Sequence, residues 1–481
     1  MLGAADDDEL DRRMKAVLNA YAIVEQNAAD PVTSEQAFYQ GAIPGLLRHL
    51  DPHSIFFDPG QFAQLREMET STQKGFGTVV SLLPGRVIVL QTMPNTPSAR
   101  AGLLPGDEIL AINGYLIRTL DLDQLQQLLT QSRQARAGLD VMRPSSGRIQ
   151  RFVLDPAEIQ APSVERAFFV GPGVGYVRVS AFDENTAKDL RAAIEKLGGN
   201  NLAGLLLDLR NNPGGLVATA LETAAMFLDP GQKIVTVRGR AVPEKAETVP
   251  LGARPYKFKL AILTNAKTAS ASEIVAGAMQ DHDRAAIVGE PTFGKGLVQN
   301  VFNLHEGTGL ALTTALYYTP SGRSIQKPLE EQRPLEAGQY ELQSATAHAN
   351  QRADFHTDKG RPVKGGGGVM PDYVVFPEGL NRLRAALEAS GSFPNFATEY
   401  LRANKIDEEF EVTPQLLDQF QTFLAARNIQ PGVAEWIAER DFISNRLKTE
   451  LFNQAFGVEK GDQVEARRDP VILKAVDLLG S

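Results

Sequence analysis

The stretch Leu260-Ala261-Ile262-Leu263-Thr264-Asn265-Ala266-Lys267-Thr268-Ala269-Ser270-Ala271-Ser272-Glu273-Ile274 decides how this chain of 481 residues folds. Its first four residues are a short apolar run, as expected of a strand buried on both faces. After a polar turn, Ser270–Asp281 reads as a helix. The same alternation recurs: Gly175–Val179, Gly204–Leu209 and Ala285–Val288 are further apolar runs with helical segments between them. Strands joined this way predict βαβ crossovers around a buried sheet. Residues 158–390 are therefore expected to form an α/β core.

Ser270 falls at a helix N-terminus, where free backbone N–H groups and the helix dipole favour negative charge. Two readings follow. With Glu273 it fits the S-x-x-E capping box. Alternatively it is a nucleophile, with the Ala271 N–H beside it to hold an oxyanion. A serine hydroxyl needs a base. Lys295, in Phe293-Gly294-Lys295-Gly296, serves if burial strips its amine of water; otherwise it is a loop lysine. Gln299 lies in Leu297–Phe302, which alternates like a strand, so Lys295 and Gln299 share a face. Gln299 either orients the amine or faces solvent. The loop Asp208-Leu209-Arg210-Asn211-Asn212-Pro213-Gly214-Gly215 ends another apolar run, and one of its glycines could give a second oxyanion donor, or the loop is a plain turn.

Rival chemistries fit less well. Gly289–Gly296 matches most of a phosphate-binding loop, but Gly296 stands where its Ser or Thr belongs, and a strand rather than a helix should follow. S-x-x-K occurs at Ser71–Lys74 and Ser324–Lys327 without S-D-N or K-T-G partners. His282 lies twelve residues along one helix from Ser270, about 18 Å away. No H-E-x-x-H is present among the six histidines, and there is no cysteine, so thiol catalysis and disulfides are excluded. A net charge of −9 disfavours nucleic acid as a partner.

The flanks differ in character. Residues 1–68 read as helical, with Leu10, Met14, Val17, Leu18 and Tyr21 at helical spacing, followed by the turn-rich Leu50–Pro59. In residues 69–157, Gly75-Phe76-Gly77 leads into alternating strands, Asn113-Gly114 signals a hairpin, and Leu122, Leu125, Leu128 and Leu129 stripe a helix. Gln326–Gly368 is polar and reads as a surface excursion. Residues 391–481 are helical again, with Thr413-Pro414 as an N-cap and first-turn proline; their apolar stripes fit an oligomer interface and an intramolecular cap equally.

Taken together, Thr268–Ile274, Gly289–Gly296, Gln299, Tyr317–Gln326 and Pro371-Asp372 resemble the C-terminal processing peptidases, or tail-specific proteases. Leu50–Pro59, Gly75–Gly77, Pro97–Gly114 and Asp208–Gly215 add to the resemblance. It implies a multidomain α/β protein: a ClpP/crotonase-like protease core, an inserted α+β PDZ domain at 69–157, and helical N- and C-terminal regions. It further implies Ser270 as nucleophile, Lys295 as general base and Gln299 as the residue positioning that base. Ala271 and either Gly214 or Gly215 would form the oxyanion hole, with Gly75, Phe76 and Gly77 binding a peptide's terminal carboxylate. No cofactor or metal is implied. The implied partners are proteins or peptides with exposed C-termini, an adaptor or regulatory protein, and further copies of the chain in a homodimer or larger assembly. The implied location is extracytoplasmic, in the periplasm or at its membrane, though no export signal is seen in this chain. The competing expectation is a catalytically silent PDZ scaffold on a protease fold.

Overall fold

The computed structural model describes residues 4–69, 72–83, 85–143, 147–160, 162–328 and 355–480. Ser71 and residues 329–354, much of the polar excursion, lie outside them.

The core is a six-stranded sheet in the order Val164–Gly171, Val174–Val179, Gly204–Asp208, Lys259–Thr264, Ala286–Gly289, Tyr373–Val374. The first pair is antiparallel and the rest are parallel. The apolar runs alternate between two covers, as a two-residue strand period requires. Leu205, Leu207, Leu260 and Ile262 face the helices Thr186–Lys196, Val217–Ala225 and Ala271–Asp281. Leu206, Ala261, Leu263 and Val288 face Val471, Ile472, Ala475 and Leu479 of the helix Pro470–Gly480. Part of the C-terminal region is thus an intramolecular cap. Val433 and Ile437, on the helix Val433–Phe456, stay 76% and 67% exposed. Thr413 caps the helix Pro414–Ala425 through the Leu416 N–H, and Leu416, Leu417, Phe420, Phe423 and Leu424 are buried.

A second sheet is built on the long strand Gly309–Tyr318, which pairs with Ile55–Phe57, Lys233–Arg238 and Leu297–Asn303. Within residues 1–68, the turn-rich Leu50–Pro59 contributes one strand to this sheet. Helices do form at Ala4–Asn27, Ile43–Arg48 and Pro59–Glu69, but Ile55–Phe57 is a strand of the sheet that carries Gln299. Its aromatics override local helix preference: Phe56 is buried against the ring of Tyr39 and Phe57 meets Phe62.

Between these elements lies a second unit. Its sheet runs Thr78–Leu83, Arg86–Thr92, Glu108–Ile112, Ala137–Arg143, Arg148–Leu154, with the helix Leu122–Ser132. The entry strand Thr72–Gly75 pairs antiparallel with the exit strand Ala157–Gln160, so both connections leave side by side. Asn113 (φ 50°) and Gly114 (φ 86°) make the expected tight turn, with Ile112 opposite Tyr115. Thr78–Leu83 is an edge strand. Leu125 is wholly buried, while Leu128 and Leu129 are half-buried against the same core as Phe76, Val80 and Leu82. The unit touches the C-terminal helices through Arg86, which bonds to Asn395. Among the described residues no helix is long and apolar enough to cross a membrane.

Candidate active site

Ser270 ends the turn after Lys259–Thr264 and opens the helix Ala271–Asp281. Its backbone sits at φ 56°, ψ −118°, outside the regions a non-glycine residue ordinarily occupies. Such strain persists only where surroundings over-determine it, and three contacts do so here. The neighbouring strand Gly204–Asp208 delivers Gly214, at φ 102°; a Cβ there would lie 2.8 Å from the Ser270 Cβ and 2.9 Å from the Ala271 nitrogen. Asn212 locks that loop, since its Nδ2 donates to the Val179 carbonyl at 2.9 Å and its Oδ1 accepts the Gly214 N–H at 2.8 Å. The Asn212 carbonyl then accepts the Ala269 N–H and the Ser272 hydroxyl.

Glu273 is the third contact and does more than cap. It is fully buried. Its Oε2 accepts the N–H of Ser270 and of Lys295, both at 2.9 Å, while Oε1 accepts the Gly294 N–H at 2.8 Å and the Thr292 hydroxyl. Burial pushes its carboxyl up, and these four bonds pull against that. The Glu273 N–H meets the Ser270 carbonyl at 2.8 Å. On the opposite side Tyr317 Oη lies 2.6 Å from the Lys295 carbonyl and 2.9 Å from that of Ser270, one hydroxyl hydrogen serving both. One carboxylate and one phenol therefore tie the backbones of Ser270 and Lys295 together.

The Lys295 side chain is half-buried, and its Nζ donates to Gln299 Oε1 at 2.7 Å. Gln299 Nε2 donates to the His53 carbonyl at 2.5 Å. Burial pulls the Lys295 amine below its ordinary value, and the charges of Asp51 and Glu273 partly restore it. Among the described residues no hydrogen bond joins the Lys295 amine to the Ser270 hydroxyl. The strand Leu297–Asn303 follows Gly296 where a phosphate loop would open a helix. His282 sits at the far end of the Ser270 helix, its ring held by Asp358 and the Lys233 carbonyl.

Of the two glycines, Gly214 has its N–H engaged by Asn212 and its carbonyl by the Phe182 N–H. Gly215, at φ 138°, runs parallel to Phe182, where a Cβ would collide with the Phe182 carbonyl. Gly75-Phe76-Gly77 belongs to the other unit and shares no hydrogen bond with the Ser270 cluster among the described residues. Gly75 ends the entry strand, the Phe76 carbonyl accepts from Ser98 and the Gly77 carbonyl from Met93. Gly77 (φ 75°) leaves no room for a side chain against Thr96.

Sequence reasoning missed Asp51, Asn212, Thr292 and Tyr317. Only Asp51-Pro52 carried a local signal, that of a turn. A buried pair below the Ser270 helix was also missed: Arg323, fully enclosed, bonds Asp281 and Gln280 at 2.7 Å each.

The sequence pattern of peptidase family S41 matches residues 173–332, and that of a PDZ domain matches residues 88–143. A carboxyl-terminal-processing protease of Synechocystis is 34% identical over 315 residues, covering 64% of this chain and 73% of that protein. The carboxy-terminal-processing protease of Bartonella bacilliformis is 38% identical over 311 residues, covering 61% and 68%. The chloroplastic carboxyl-terminal-processing peptidase 2 of Arabidopsis thaliana is 34% identical over 310 residues, covering 62% of this chain and 60% of its own length.

Proposed function

This chain belongs to the carboxyl-terminal-processing proteases of peptidase family S41 and is a serine-type peptidase with a PDZ domain; from that premise we propose that Ser270 is its nucleophile and Lys295 its general base. The observation that carries the reading is the amine's setting: half-buried, tied by its backbone to Ser270, and aimed at an oxygen of Gln299. Accepting one N–H of a neutral amine, Gln299 leaves the nitrogen lone pair free to take the Ser270 proton. Oγ then attacks the scissile carbonyl carbon. The oxyanion falls to the N–H groups of Ala271 and Gly215, the Gly214 N–H being spent on Asn212. Protonated Lys295 passes its proton to the leaving amine, an ester forms on Ser270, and the amine departs. Water, deprotonated by the same lysine, hydrolyses the ester and restores the serine.

The parallel sheet with Ser270 and Gly214-Gly215 on adjacent strand ends fits a ClpP/crotonase-like core at residues 158–390. The unit spanning 69–157 acts as the recognition domain. A peptide C-terminus enters at Gly75, Phe76 and Gly77 and adds as a strand on the open edge Thr78–Leu83, with Leu128 and Leu129 lining the groove. Substrates are accordingly proteins with exposed C-termini, met outside the cytoplasm. The exposed Val433 and Ile437 suit contact with another copy or an adaptor.

The test is cleavage of a disordered protein by Ser270→Ala and Lys295→Ala, each checked for retained fold by circular dichroism. Both should be inactive; full activity in Lys295→Ala ends the proposal. The rival reading, a silent PDZ scaffold, has one observation in its favour, the lack of a bond between the Ser270 hydroxyl and the lysine. Peptide binding with no turnover by the unaltered chain would establish it.

A further inference from the structure

We propose that the turn Asp51-Pro52-His53-Ser54 is a positioning element for the catalytic lysine, fixing the Gln299 amide with its oxygen toward Lys295 and joining the Asp51 carboxylate to the amine through His53 and Gln299. This rests on Lys295 being the base. The turn is rigidly built. Asp51 Oδ1 accepts the N–H of His53 at 2.7 Å and of Ser54 at 2.8 Å, and Oδ2 accepts the Ser54 hydroxyl at 2.7 Å. Ser54 Oγ in turn accepts the Thr313 N–H at 3.1 Å. Thr313 is the register partner of Gln299, so the turn is fastened to the strand beside it.

An amide has no intrinsic preference for which end faces which neighbour. The His53 carbonyl decides it here, because only the amide nitrogen can donate to that oxygen. Were the amide reversed, its NH2 would donate into the lysine lone pair and block the base. Asp51 acts in a second way. Although burial pushes its carboxyl up, the bonds from Ser54 and His53 hold it below its usual value. It heads the charges opposing the effect of burial on Lys295, ahead of Glu273. The other titratable neighbours are Tyr317, against the Lys295 carbonyl, and His53, which enters the network through its backbone.

Asp51→Asn in the full chain keeps the turn's shape: the amide oxygen accepts both N–H groups and the amide nitrogen donates to Ser54 Oγ. With the charge gone, the acid limb of the kcat/KM–pH profile should move to lower pH. Ser54→Ala keeps the charge but cuts the tie to Thr313. It should lower kcat several-fold, with KM and the limb unchanged. His53→Gln should leave the limb where it is. An unmoved limb in Asp51→Asn, with or without a uniform loss of rate, overturns the proposal. So does wild-type kcat in Ser54→Ala, which decides the matter if Asp51→Asn does not fold, and so does loss of the limb in His53→Gln. Activity in Lys295→Ala instead refutes the base assignment itself, so the two failures are distinguishable.

Discussion

Replacing Glu273 probes the feature that draws Ser270 and Lys295 together. In Glu273→Gln the amide oxygen can keep the N–H groups of Ser270 and Lys295, the pair that Oε2 now holds. The NH2 then faces Thr292 and Gly294. The Thr292 oxygen can accept from it, but the Gly294 N–H cannot donate to another N–H. Two buried donors, the Gly294 N–H and the Thr292 hydroxyl, lose this acceptor, at a cost of about 1–3 kcal/mol each. Glu273→Ala removes all four acceptor contacts. Because neighbouring effects do not add fully, its cost is about 4 kcal/mol or more. Urea unfolding gives the stabilities. Hydrogen exchange read by mass spectrometry gives the location: in the Gln variant the Gly294 amide should speed up while those of Ser270 and Lys295 stay protected. In the Ala variant all three should exchange faster. Activity should follow the same order, weakened in Gln and lost in Ala. An Ala variant with unchanged midpoint and unchanged exchange at these amides would refute the assignment of Glu273 as their common anchor.

Three further outcomes are expected. With Lys295 as the proposed base, the unaltered enzyme's rate should rise with pH as its amine loses its proton; burial lowers that midpoint, so one at or above about 10.4, the ordinary lysine value, would contradict the proposal. Gly214→Ala places a methyl group 2.8 Å from the Ser270 Cβ at a backbone angle alanine avoids; kcat should fall about 100-fold, with stability down about 1–3 kcal/mol, and wild-type kcat would count against the packing described. Arg323→Met leaves the buried Asp281 without its guanidinium and should cost about 3–5 kcal/mol in urea titration; an unchanged midpoint would show that the pair is not held as described.

How much was legible in the sequence follows from how local each signal is. The strand before Ser270, the helix after it and the Asn113-Gly114 turn depend on neighbouring residues, and they stand where periodicity and turn chemistry put them. Gln299 was findable because four residues separate it from Lys295. Glu273 was found but read too narrowly: its capping spacing is visible, whereas its bonds to Thr292, Gly294 and Lys295 depend on a second strand returning to the same place. The link from the Asp51 turn to Gln299 was invisible, because the pairing of Ile55–Phe57 with Gly309–Tyr318 is what brings that turn there. The same pairing sets a strand within the turn-rich stretch Leu50–Pro59, which local sequence could mark as non-helical but not as part of a sheet. On the helix Leu122–Ser132, Leu125 is wholly buried, whereas Leu128 and Leu129 are half-buried against the same core.

The helix Pro470–Gly480 lies on the face of the sheet formed by Leu206, Ala261, Leu263 and Val288. That has a consequence for the order of events on the ribosome. The four parallel strands between Val174 and Gly289 emerge with three of their helices, enough to cover one face. The other face waits for a segment made only after residues 290–469 have been synthesised. During that interval a flat apolar surface is open to water and to other nascent chains, and closing it is a long-range, slow kind of contact. Maturation of the strand ends that carry Ser270 and Gly214 is thereby bound to the last stretch of synthesis, and the unfinished chain is the form most exposed to aggregation and most in need of a chaperone.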